Sequence, residues 1–220
     1  MPSSPGLPRR FANLWNRTAC PYAEAAQVVF GPEASRGVSP VAQAKKCADQ
    51  LQRVLSGPKA TKFDMFVIEL REIEAVKSIP TLAAALRQTL EVFARRGPEA
   101  QQDPFSGILS PTWDFVFCGQ RFFVPVFAPL YPQSHPRSSQ ARDSAFILMQ
   151  PDICFTRKGI SSKSPGRANV SQEVMRHFVE RGFSYDLRLV THPLKAARYV
   201  KPMEAGQDPV KWWEATNQSA

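Results

Sequence analysis

A chain of 220 residues with 43% hydrophobic and 21% charged side chains is long enough for one sizeable core and too apolar to stay disordered. Its formal charge of +9 is concentrated in the outer thirds, nine basic against three acidic side chains in residues 1–62 and eleven against six in residues 153–220, which admits anionic partners: nucleic acid, an acidic membrane surface or the propionates of a haem. No apolar run approaches the ~18 residues of a membrane span, the four cysteines lack CxxC spacing, and three scattered histidines exclude a zinc site built from histidine pairs but leave room for a cofactor needing one axial ligand.

Residues 1–14 are proline-rich and basic, with no apolar core of a secretory signal. A flexible basic segment over residues 1–17 is therefore expected, followed by one domain over 18–200 and a tail over 201–220. Free thiols and a soluble, cytoplasmic protein follow from the same features. Cys20-Pro21-Tyr22-Ala23 opens the domain. Ser39-Pro40 supplies an N-cap and a first-turn proline, so a helix over 41–55 is predicted, ending at Gly57. Residues 63–70 (FDMFVIEL) are β-rich and read as the first strand. A second helix spans 80–96, with Leu82, Leu86, Leu90 and Phe93 on one stripe, Arg95 and Arg96 in its last turn and Gly97 as terminator.

Residues 115–117 and 122–127 flank a short polar break at 118–121 and predict a β-hairpin, and residues 145–149 predict a third strand. The polar segment 131–142 between them carries His135, two serines and two arginines where a loop would leave a sheet edge. A basic loop (157–167), a third helix (171–181), a strand (185–190) and one helical turn (193–199) complete the series. Trp212-Trp213 is expected to clamp the terminus onto the body. The order predicts an α+β domain with a mixed or antiparallel sheet packed by helices.

Several segments, in order, resemble the YqcI/YcgG family: residues 20–26, Leu86-Arg87-Gln88, the 115–124 hairpin with Gly119 and Arg121-Phe122-Phe123, and above all His135-Pro136-Arg137-Ser138-Ser139-Gln140-Ala141-Arg142, which is similar to the family's His-Pro…Ser…Ala-Arg signature. Residues 145–155 match the strand after it. The resemblance implies a haem-dependent N-hydroxylase of guanidines or amines, with arginine as first choice, that uses oxygen or peroxide and an electron donor. It implies haem b as cofactor and His135 as axial iron ligand, with Cys20 as the alternative; a thiolate would favour O–O cleavage. Arg137, Arg142, Ser138 and Ser139 are candidates to hold a propionate or the substrate carboxylate. Asp114 and Glu69 are candidates to face a cationic guanidine. A haem carrier without oxygenase activity is the alternative function, and a second copy of the chain stays open as a partner. A nucleic-acid module is disfavoured, because Arg121-Phe122-Phe123-Val124 lacks the glycine–aromatic alternation of RNA-recognition strands and runs into Pro125.

Overall fold

The computed structural model describes residues 8–58, 60–71, 74–100, 102–159 and 167–215. Helix α1 (Arg9–Arg17) leads to strand β1 (Val28–Phe30), helix α2 (Pro40–Leu55) and strand β2 (Met65–Leu70). Helix α3 (Ile79–Arg96) follows, then strands β3 (Phe115–Phe117), β4 (Gln120–Phe123), β5 (Val126–Phe127) and β6 (Ala145–Pro151). Helices α4 (Asp152–Arg157), α5 (Arg167–Glu180) and α6 (Leu187–Val190) come last, with 3-10 turns at Lys195–Arg198 and Trp212–Glu214.

The sheet runs β1-β2-β6-β4-β3, with β5 also paired to β6. Only β1 and β2 are parallel, joined across α2; the other pairs are antiparallel. The fold class is α+β with a mixed sheet. β4 and β5 are one expected strand broken at Val124-Pro125, because proline has no N–H for the ladder. Its carbonyl still accepts from Leu148 N at 3.0 Å.

Both sheet faces are covered, which explains why β2 and β6 are apolar almost throughout. On one face Phe66, Ile68, Leu70, Ile147 and Met149 pack with Ala44, Cys47 and Leu51 of α2 and Leu82, Leu86, Leu90 and Phe93 of α3. On the other, Met65, Val67, Phe146 and Leu148 meet Phe11 and Leu14 of α1. Both long helices start as their sequences predict. Ser39 Oγ accepts from Ala42 N at 3.2 Å, and Ser78 forms a capping box with Thr81.

Three expectations are corrected. The basic N-terminal segment is not flexible over Arg9–Arg17: it is a helix whose Phe11 is 1% exposed, because its few apolar residues fall on one side and the second sheet face needs a cover. Residues 1–7 lie outside the described residues. The strand expected over 185–190 is instead capped by Asp186, whose carboxylate accepts from Arg188 N at 2.9 Å, and turns into α6. The domain does not stop at 200, since Lys201 is buried, and Trp212 and Trp213 clamp the terminus onto the body as expected. Trp212 donates Nε1–H to Ala196 O at 2.8 Å and stacks on Tyr199. Among the described residues no helix is long and apolar enough to cross a membrane. Most of the basic loop expected over 157–167 lies outside the described residues.

Candidate functional site

The second sheet face is not filled completely. Between it and α1 lies a cavity of about 370 Å³, inside the ~300–1,000 Å³ range of small-molecule and cofactor sites. Met65 and Leu148 of the central strands, with Phe123 and Phe127 from β4 and β5, line it from the sheet. Phe11, Leu14 and Trp15 of α1 and Val174 and Phe178 of α5 line it from the helices. The lining surface is mainly aromatic and aliphatic, with charged and thiol groups set among it.

Cys20 lies on the wall, in the turn after α1. Burial pushes its thiol pKa up, while the backbone N–H groups of Tyr22 and Ala23 and the charge of Lys158 act in the opposite sense, toward the thiolate. Lys158 is itself fixed, donating to Tyr22 O at 3.4 Å and lying 3.6 Å from Asp64. A second wall cysteine, Cys154, is pushed up to about 12 by burial.

Three carboxylates line the cavity: Asp64, Asp114 and Asp152. Asp64 pairs with Arg157 at 2.5 Å and with Lys158. Asp114 pairs with Lys195 at 2.5 Å and lies 3.9 Å from Arg121. Among the described residues, no cation lies within 4.0 Å of Asp152.

The cations show the opposite imbalance. Arg137 lines the cavity, donates from Nη2 to Arg198 O at 3.1 Å and lies 4.9 Å from the Phe127 ring centroid. Lys201, also on the wall, is 5% exposed, and its ammonium is 5.0 Å from the Tyr185 ring centroid. Neither has a carboxylate within 4.0 Å among the described residues. Burial lowers Arg137 to about 10. Burial, then the charge of Arg137, lowers Lys201 to about 7, with Asp186 opposing.

Of the residues expected at the site, Cys20, Arg137 and Asp114 line the cavity and the others do not. His135 is buried behind Tyr131, its ring stacked at 4.3 Å and 9° from parallel. Its Nδ1 accepts from Arg137 N at 3.1 Å, and a backbone bond to Pro202 favours its protonated form. The crevice it lines measures about 10 Å³, barely room for one water and none for a macrocycle. His135 therefore lines this crevice and not the larger cavity. Arg142 is exposed and off the cavity. Ser138 and Ser139 are spent on the loop: their backbone N–H groups donate to His135 O and Ala128 O, and Ser139 Oγ donates to Ala141 O at 3.2 Å. Glu69 binds Arg10 and Ser144, away from the cavity.

Sequence reasoning passed over Lys201, Tyr185, Asp152 and Trp15. A lysine just before Pro202 in a mostly polar tail carries no signal of burial, and Asp152 reads as a helix-start charge. The duplicated His-Pro pattern could have warned about His135. In His192-Pro193-Leu194 the ring Nδ1 likewise accepts from the backbone N two residues on, at 3.1 Å, so the motif builds a turn. No family model matches the chain, and no curated protein or solved structure is significantly similar to it.

Proposed function

We propose that the cavity binds haem b and that the protein N-hydroxylates a guanidine or amine substrate such as arginine, the activity implied by its resemblance to the YqcI/YcgG family. The observation that carries this reading is Cys20: a sulfur on the wall of an aromatic cavity, its thiol pKa raised by burial, with two backbone N–H groups and one lysine acting toward the thiolate. Flat side chains on the sheet and helix sides suit a planar apolar body, and a thiolate needs only one position to hold iron. Coordination deprotonates a cysteine that burial otherwise keeps protonated. When bound, haem supplies the oxygen-transfer chemistry, overall substrate N–H with dioxygen, two electrons and two protons giving N–OH and water.

The protein's own part is position and charge. Asp152, the wall carboxylate without a described cation partner, is the group that would hold a guanidinium, with Gln150 two residues before it also on the wall. Asp114 is less suited, because Lys195 already neutralises it. Phe11, Trp15 and Phe178 would exclude water from the bound substrate.

Titration with hemin tests the reading. A Soret band that saturates at one equivalent is expected, lost or strongly shifted in Cys20→Ala and retained in His135→Ala. A protein that takes up no hemin sinks it. With haem bound, arginine, a reductant and oxygen should give a product heavier by one oxygen atom in mass spectrometry; haem binding without oxidation of any guanidine or amine would leave a carrier.

A further inference from the structure

Buried lysines and arginines are normally paired with carboxylates, because an uncompensated charge in a low-dielectric interior is costly. Lys201, buried, and Arg137, half-buried, break this pattern together on one cavity wall. Lys201 is 5% exposed, and its ammonium lies 5.0 Å from the Tyr185 ring centroid. Arg137 is held over Phe127 and by one carbonyl. Burial first, and then the charge of Arg137, lowers the pKa of the lysine.

Their backbone supports are, by contrast, complete. Tyr131 donates its hydroxyl to Lys201 O at 2.7 Å and stacks its ring on His135. His135 Nδ1 in turn takes the N–H of Arg137. The His-Pro-Arg segment is thus a brace that fixes Arg137 on the wall it shares with Lys201.

We propose that Arg137 and Lys201 form a carboxylate-binding subsite in the cavity wall, accepting the acid group of a ligand whose body fills the apolar part. The acid is either a haem propionate or the α-carboxylate of the substrate amino acid. The cation pair stands on its own geometry; only the identity of the acid rests on the haem reading.

The test uses the full chain, Lys201→Met and Arg137→Gln. Hemin is compared with hemin dimethyl ester by Soret titration. On the haem-loaded protein, arginine is compared with agmatine, its decarboxylated analogue, by the shift each causes in the same band. If the acid is a propionate, hemin binds roughly ten- to a hundredfold tighter than its diester, the worth of one or two charge-assisted hydrogen bonds, and Lys201→Met closes the gap. If it is the substrate's, hemin and diester bind alike, arginine outcompetes agmatine by the same factor, and Lys201→Met again closes the gap. No preference for the acid in either pair, or a preference both variants keep, overturns the subsite.

Should no form of hemin bind, the haem reading falls and the subsite is decided by dansyl-undecanoic acid against its methyl ester, followed by fluorescence on the apoprotein. The same preference and the same loss in Lys201→Met are expected, and equal binding overturns it. The melting temperature gives a readout that a structural lysine would move the other way. Removing an unpaired buried charge should raise the melting point of apo Lys201→Met, whereas a lowered one would mark Lys201 as a structural cation and overturn its role. Arg137→Gln is read only alongside Lys201→Met, since it also removes the bond to Arg198 O.

Discussion

Tyr131 and His135 lie face to face, ring centroids 4.3 Å apart and 9° from parallel, and this stack turns the one histidine of the His-Pro-Arg segment away from the cavity. His135→Ala should then leave hemin uptake in place while lowering stability. Loss of the stacked ring and of the acceptor for Arg137 N is worth about 1–3 kcal/mol, measured as a shifted urea midpoint. A variant of unchanged stability that no longer takes up haem would return the imidazole to the iron.

The same stack sets a pH dependence. His135 is lowered from 6.5 to about 4, chiefly by burial and then by the charges of Lys201 and Arg137. Protonation would also place a proton on the Nδ1 that now accepts from Arg137 N. Tyr131 stacks on the ring, and two acidic groups, Asp186 and Glu204, line the same crevice. A folded pKa below the unfolded one means that the contribution is present in full above pH 6.5 and is lost as pH falls through 6.5 toward 4. Between pH 7.5 and 4.5 the wild type should lose roughly 2–3 kcal/mol more than His135→Phe, by urea unfolding at the two pH values. Parallel losses would place the imidazole in water.

The β3–β4 hairpin turns through Cys118 and Gly119, both with positive φ (49° and 70°). That is the two-residue geometry in which asparagine precedes glycine most readily. Cys118 is half-buried and its thiol has no hydrogen bond among the described residues. Cys118→Asn should therefore stabilise the fold by about 0.5–1 kcal/mol, and Gly119→Val should cost more than that. A thermal melt of both variants checks the ordering.

The hairpin, the two long helices and the two long strands, β2 and β6, were legible because each carries its own local signal: a cap, a turn or an apolar period. β1 was not, since Val28–Phe30 is three residues long and is a strand only because β2 lies parallel beside it. The strand expected at 185–190 failed for a local reason, the Asp186 cap, that outweighed β-branched and aromatic content. At the site the residues of the motif were visible but their direction was not. Whether His135 or Arg137 faces the cavity is decided by a ring stack with Tyr131 and a carbonyl from Arg198, sixty-one residues further on. Lys201 was unreadable for the same reason, its burial being imposed by Tyr131 and Tyr185.

Helix α1 closes the cavity, and Phe11 is what holds it there. The polar ties are real: Arg10 Nε reaches Glu69 Oε1 at 2.5 Å, Glu69 is held by Ser144 Oγ at 2.7 Å, and Arg17 reaches Gln140 Oε1 at 3.0 Å. They lie at the surface or only partly beneath it, where such pairs contribute about 1 kcal/mol or less. Phe11, by contrast, is 1% exposed and meets Phe30 and Phe146 edge-on at 5.1 and 5.2 Å. Its loss should cost about 3–5 kcal/mol. Since that exceeds what the ties supply, α1 of Phe11→Ala should detach from the sheet before the rest of the fold melts. The expected result is slow hydrogen exchange across Arg9–Arg17 in the wild type, fast exchange confined to that helix in Phe11→Ala, and bound hemin that transfers to apomyoglobin much faster. Arg10→Ala should show little of either effect. If Arg10→Ala loosens the helix as much as Phe11→Ala does, the cover is held by charge and not by packing.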